Sequence, residues 1–220
     1  MMKFEALIFD MDDLMVDTER LYFEAEREIA KRFGRTIKDE TLWKMMGRKP
    51  IESMEIFATD LKIDKNPQEL LAIRDEIMKS KLSCDLRPMP GLDFILNEFH
   101  GKLKLALATG AKKDFMDIII DGLGIRKFFD FLLPSDNINH GKPHPEIYTK
   151  ACRSLNLPPE NCIVLEDSQN GVIAGKDAGS TVIAIPSDYS RHQDFSRADF
   201  IAKDLFEAAE TIKNLLLSGK

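Results

Sequence analysis

Two aspartates one residue apart, Asp10 and Asp12, close an apolar run formed by Ala6, Leu7, Ile8 and Phe9. Carboxylates at i and i+2 behind a buried segment lose hydration and repel each other, so a fold keeps them where a cation or a reaction offsets the penalty. Three more polar groups follow apolar runs or lie between them. Thr109-Gly110 follows residues 103–108, Glu166-Asp167-Ser168 follows residues 162–165, and Gly141-Lys142-Pro143 stands between the two. Gathered at one sheet edge, Asp10, Asp12, Glu166 and Asp167 would face Lys142 and the Thr109 hydroxyl. Such a carboxylate cluster takes a hard cation with oxygen ligands, and Mg2+ is the ordinary choice where phosphate is bound as well. Lys142 is a compact charge that pairs with a carboxylate and a phosphate oxygen. Thr109, with the N–H groups of Gly110 and Ala111 entering a helix, forms a small anion cradle. These are the parts of phosphoryl transfer.

Each group also has a plainer use. Asp10, Asp12 and Asp13 suit an acidic turn, Thr109 suits the cap of a helix starting near Ala111, and Glu166-Asp167 suits the first turn of a helix, where acids complement the dipole. Lysines are mostly solvated, but Lys142 is held between Gly141 and Pro143, which fixes its direction. The order and number of these groups favour the chemical reading.

The elements that would position them follow from periodicity. The residue 6–9 run is apolar on both faces, as expected of a strand in a covered parallel sheet. Residues 103–108, 131–133, 163–165 and 182–185 supply further strands with helices between them. Residues 18–83 instead hold four helical patterns and no strand. Tyr22, Ala25, Glu26, Ile29 and Phe33 share one face of the first, and Leu70, Ile73, Ile77 and Lys81 trace a weaker stripe in the last. The expected fold class is α/β: a doubly wound parallel sheet with a helical insertion after its first strand. The core takes residues 1–16 and 87–220 and the insertion residues 17–86. Ligands in such sheets bind outside the carboxyl ends of the strands, where the Asp10/Asp12 pair sits. Residues 204–217 read as a surface helix.

The chain has 220 residues and a formal charge of -6, which with the absence of long basic runs disfavours a nucleic-acid polymer or a membrane surface as partner. Cys84, Cys152 and Cys162 lack metal-ligand spacing and each neighbours an apolar stretch, so reduced core thiols are expected. No apolar run reaches transmembrane length and no signal peptide precedes the first strand, so the expected location is cytoplasmic.

The four motifs, in their order, resemble the haloacid dehalogenase superfamily of phosphatases and phosphomutases. The similarity extends through Gly171, Ala174, Ala178 and Gly179. Within it, residues 17–22 (Asp-Thr-Glu-Arg-Leu-Tyr) and 45–49 (Met-Met-Gly-Arg-Lys) are similar to the β-phosphoglucomutase-like branch, close to glycerol-phosphate and pseudouridine-monophosphate phosphatases. The resemblance implies a Rossmann-like core with an inserted four-helix cap. The implied activity is Mg2+-dependent hydrolysis of small sugar, polyol or nucleoside phosphates, in a monomer or weak homodimer. Asp10 becomes the nucleophile that forms an aspartyl-phosphate. Asp12 becomes the general acid and base, which must start neutral and whose carbonyl ligates the metal. Asp167, Asp10 and Glu166 complete the metal site, Lys142 balances charge, and Thr109, Gly110 and Ala111 bind the phosphoryl group. Arg48, Lys49, Glu19 and Tyr22 become candidate specificity residues of the cap. The family usually has Gly where this chain has Asp13, a residue that tolerates a left-handed backbone better than most. β-Phosphoglucomutases have His where Tyr22 stands and Arg where Pro50 stands, which favours hydrolysis over the alternative of a phosphomutase. A receiver module or a non-catalytic metal-binding protein also uses such acids, but the inserted helices and Asp12 count against both.

Overall fold

The computed structural model describes residues 4–46, 48 and 50–218. Six strands form one parallel sheet: β1 (Ala6–Phe9), β2 (Lys104–Ala108), β3 (Phe131–Leu133), β4 (Cys162–Glu166), β5 (Thr181–Ala184) and β6 (Phe200–Ile201), in the order β3-β2-β1-β4-β5-β6. β1 is central, with Ile8 registered against Ala106 on one side and Val164 on the other. The chain builds outward from β1 to β3, then crosses back and builds from β4 to β6. This reversal creates a switch point at the carboxyl ends of β1 and β4. Asp10 follows β1 there, and its N–H donates to the Leu165 carbonyl at 3.0 Å.

Alternation along the strands divides the core. Ala6, Ile8, Ala106, Ala108, Cys162, Val164, Val182 and Ala184 belong to one buried cluster with Ile147, Tyr148, Ala151 and Cys152 of α7 (Glu146–Ser154) and Val172 and Ala174 of α8 (Gln169–Ala178). Small sheet residues let these helices approach closely. At Gly175 of α8 an added Cβ would lie 2.8 Å from Val182 Cγ2, so a side chain there would push the helix off the sheet. Leu7, Phe9, Leu105, Leu107, Ile163, Leu165 and Ile183 alternate with the first set and are fully buried too. That explains why these strands are apolar on both faces.

The chain divides into two compact units, one running to Asp17 and resuming at Arg87, the other Thr18–Leu86. The second unit holds α1 (Glu19–Arg32), α2 (Asp39–Met45), α3 (Pro50–Leu61) and α4 (Pro67–Cys84). In α1, Ala25, Glu26 and Ile29 are buried; in α4 the buried stripe is Leu70, Arg74, Ile77, Met78 and Leu82. Compared with the sequence expectation, that stripe passes through Arg74 rather than Ile73, and Lys81 reaches out to Glu24 at 3.0 Å. The first unit keeps its two connectors paired: Val16 bridges Pro88, and the Asp17 N–H donates to the Arg87 carbonyl at 3.0 Å. It also holds α5 (Leu92–Phe99), α6 (Lys113–Gly122) and α9 (Leu205–Ser218).

One expectation fails at Cys84. Cys152 and Cys162 are buried free thiols, but Cys84 is exposed, because it ends α4 beyond the buried Leu82. Among the described residues no helix is long and apolar enough to cross a membrane.

Candidate active site

Asp10, Glu166 and Asp167 are all buried, and one carboxylate oxygen of each lies within 4.8 Å of the others. β1 and β4 run side by side and end together, which places residues far apart in the chain on a common edge. Between β1 and its connector the chain makes a tight loop. The Met15 N–H donates to the Met11 carbonyl and the Asp13 N–H to that of Val16, both at 2.9 Å, and Asp13 takes φ = 55°. Asp13 thus adopts the left-handed conformation in place of a glycine, as its short polar side chain allows.

The Lys142 ammonium joins the cluster with hydrogen bonds to Asp10 Oδ1 and Glu166 Oε1. Glu166 is the fully buried member, and both its oxygens are engaged. Oε1 also accepts from the Tyr148 hydroxyl at 2.6 Å, while Oε2 accepts from the Ser168 N–H at 3.0 Å and the Ser168 hydroxyl at 2.9 Å. Ser168 Oγ in turn accepts from the Gly171 N–H at 3.1 Å, capping α8. Gly171 is the floor of this arrangement, since a Cβ on it would sit 1.7 Å from Glu166 Oε1. The main chain at Asp167 is held by the Ser190 hydroxyl, which donates to its carbonyl at 2.6 Å.

Electrostatics follow from burial. Burial pushes the Asp10 carboxyl up to about 8 against the pull of Lys142, with Glu166 and Asp12 adding repulsion. Burial, reinforced by Glu166, Asp10 and Asp13, likewise holds Asp167 well above the usual carboxylate range. At Glu166 burial works upward too, but Lys142, Tyr148 and the Ser168 amide outweigh it and hold the group low. Burial would deprotonate Lys142, yet Asp10 and Glu166 keep the ammonium charged well past its ordinary value. Three buried carboxylates facing one ammonium leave two negative charges uncompensated when all are ionised. The donor set, all hard oxygen, matches a divalent cation such as Mg2+ in charge and chemistry. Asp10 and Asp167 are the members with raised values, and so gain most from a neighbouring cation.

Thr109, fully buried at the end of β2, donates its hydroxyl to Asp12 Oδ2 at 3.3 Å and accepts from the Ala111 N–H at 2.9 Å. The helix that follows starts at Lys113, near Ala111 as expected, and the Asp136 carboxylate accepts from the Lys113 N–H at 2.6 Å. The Thr109 hydroxyl thus closes a local turn on the Ala111 N–H just ahead of that helix.

Of the other expected site residues, Glu19, Tyr22 and Arg48 belong to the unit Thr18–Leu86, and Lys49 lies outside the described residues. Arg48 is exposed and lines an open recess of about 490 Å³ with Lys44, Glu52, Glu55 and Asp60. The Tyr22 ring lies under the Arg74 guanidinium, 5.2 Å from its centroid. Tyr148 and Ser190 were not singled out from sequence. Tyr148 sits in the apolar stripe of α7, and no spacing marks Ser190.

A family model described as haloacid dehalogenase-like hydrolase matches residues 7–185. A phosphorylated carbohydrates phosphatase of Thermotoga maritima is 36% identical over 80% of this chain and 82% of its own. A (DL)-glycerol-3-phosphatase of Arabidopsis thaliana, mitochondrial by name, is 33% identical over 82% of this chain and 63% of its own. A solved Thermotoga maritima structure, provisionally named a beta-phosphoglucomutase, superposes with a TM-score of 0.83 at 32% identity, covering 96% of this chain and all of that one.

Proposed function

The chain belongs to the haloacid dehalogenase-like hydrolases and is a phosphoric monoester hydrolase of that family; from that premise we propose that it is a Mg2+-dependent phosphatase of small sugar and polyol phosphates. It works through an aspartyl-phosphate on Asp10. The observation that carries this reading is the buried cluster at the carboxyl ends of β1 and β4, with Lys142 bonded to both Asp10 and Glu166.

Asp10 attacks phosphorus, the ester P–O bond breaks, and the leaving alkoxide takes a proton from the Asp12 carboxyl. Asp12 then accepts a proton from water as that water attacks the same phosphorus, which releases phosphate and restores Asp10. Lys142 balances charge between Asp10 and the phosphoryl oxygens. The Thr109 hydroxyl exchanges its Asp12 acceptor for a phosphoryl oxygen. Asp10, Asp167 and the Asp12 carbonyl would hold the cation, with Glu166, whose oxygens already carry four hydrogen bonds, contributing charge or a water-mediated contact. The bound cation supplies charge neutralisation for the transferring group.

The substrate class is supported by relatives named for phosphorylated carbohydrates and glycerol 3-phosphate. The test is phosphate release with Mg2+ across glycerol phosphate, hexose phosphates, nucleoside monophosphates and β-glucose 1-phosphate, the last with and without a bisphosphate primer. Release concentrated on sugar or polyol esters is expected. Primer-dependent isomerisation with little phosphate release would replace the phosphatase reading with a phosphomutase.

A further inference from the structure

Tyr148 is a fully buried residue of the first turn of α7, in a layer of Ile147, Ala151 and Cys152. Packing there needs only an apolar ring, and a buried phenol must find an acceptor or pay a desolvation penalty. Its acceptor is Glu166 Oε1 at 2.6 Å, the same oxygen that receives Lys142. The Lys142 ammonium also lies over the Tyr148 ring, 5.2 Å from the centroid. Two residues earlier, the Glu146 carboxylate accepts from the Asn139 and His140 N–H groups at 2.9 Å, pinning the backbone of the loop that carries Lys142. The first turn of α7 therefore holds the loop through Glu146 and the lysine side chain through Tyr148.

We propose that Tyr148 is a positioning residue: its hydroxyl orients Glu166 and its ring walls the Lys142 ammonium, which together fix where Lys142 meets Asp10 and the transferring phosphoryl group. A hydrogen bond to a buried carboxylate limits the rotation of that carboxylate, and the face of an aromatic ring attracts a cation. With both in place the ammonium has one stable position between Asp10 and Glu166. The proposal rests on the role given above to Lys142, and Lys142→Ala alone tests that role.

The test is a double-mutant cycle of Tyr148→Phe with Lys142→Ala. It is read as kcat and KM for the preferred ester, and as affinity for vanadate and for inorganic phosphate. Binding keeps the cycle readable where turnover of Lys142→Ala is slow. Tyr148→Phe is expected to lower kcat about ten- to hundredfold with KM changed less than about threefold, and to weaken vanadate more than phosphate. In the Lys142→Ala background the same substitution should change vanadate affinity less than about twofold, because its route of action is gone. Ser168→Ala, which removes a donor from the other Glu166 oxygen, should show the same dependence on background. An equal factor in both backgrounds for the two substitutions, or a Tyr148→Phe enzyme within about threefold of its parent, overturns the proposal and leaves Tyr148 as core packing.

Discussion

Gly171→Ala should destabilise the protein although it sits inside α8, where alanine is favoured over glycine by about 1 kcal/mol. The new Cβ would lie 1.7 Å from Glu166 Oε1, 1.8 Å from Cδ and 2.2 Å from Oε2. Reaching even 3.0 Å requires the carboxylate to retreat by at least 1.3 Å. Its bonds to Tyr148 at 2.6 Å and to Ser168 at 2.9 and 3.0 Å do not survive such a shift together. Each hydrogen bond to a charged group contributes about 1.5–3 kcal/mol. Losing two of them against the helix gain gives a net loss of about 2–5 kcal/mol. Lys142 loses one of its two carboxylate partners at the same time, so kcat should fall about ten- to hundredfold. Urea unfolding and steady-state kinetics on Gly171→Ala and on Gly171→Ala/Glu166→Ala check both numbers. The double variant has room for the methyl group, and should recover stability relative to Gly171→Ala without recovering activity. A Gly171→Ala enzyme at least as stable as its parent and equally active would mean that helix propensity alone accounts for the position and that the methyl group does not displace Glu166.

Burial pushes Glu26, within α1, up to about 7 from 4.5, with Arg74 and Arg27 opposing. Because the folded value is the higher one, its contribution to stability is fully present below pH 4.5 and lost as pH rises through 7. Glu26→Gln should therefore gain about 3 kcal/mol over the parent between pH 4.5 and 8, and urea unfolding at those two pH values measures the difference; a pH-independent gap refutes it. Replacing Arg48 and Lys49 together with Ala should raise KM about three- to tenfold for esters carrying a second negative charge and little for glycerol phosphate. Equal effects on both substrates would show that the two cations do not select for charge.

β1, β2 and β4 and the polar groups that follow them were legible because strands buried on both faces leave unbroken apolar runs, and a carboxylate or threonine ending such a run stands out; β3 and β5, partly exposed, were legible as apolar runs alone. β6 was not, since Phe200 and Ile201 are a short exposed edge held by its neighbour: the Asp199 N–H donates to the Val182 carbonyl at 3.0 Å and the Asp199 carboxylate accepts from the Val182 N–H at 2.7 Å. Nothing in the Phe200-Ile201 dipeptide itself announces that pairing. In α4 the pattern pointed to Ile73, but Arg74 is the residue turned inward, its buried Nε without a partner among the described residues. A polar residue on a core stripe reads as a break in the pattern, so the expected stripe holds at Leu70 and Ile77 and misses at the position between them. At the site, Asp10, Asp12, Thr109, Lys142, Glu166 and Asp167 were nominated by type and spacing. Tyr148 was not, because its ring satisfies the apolar pattern of α7 while its hydroxyl performs a polar task.

Covalent catalysis at Asp10 leaves a chemical trace that can be trapped. The direct measurement is an acid quench during turnover with Mg2+ and the preferred ester, followed by mass spectrometry of the peptide that contains Asp10. One added phosphoryl group on Asp10 is expected, labile to hydroxylamine and absent from Asp10→Asn, which should also lack turnover. Full turnover with no phosphoryl group trapped at any time point, or substantial activity in Asp10→Asn, would contradict it.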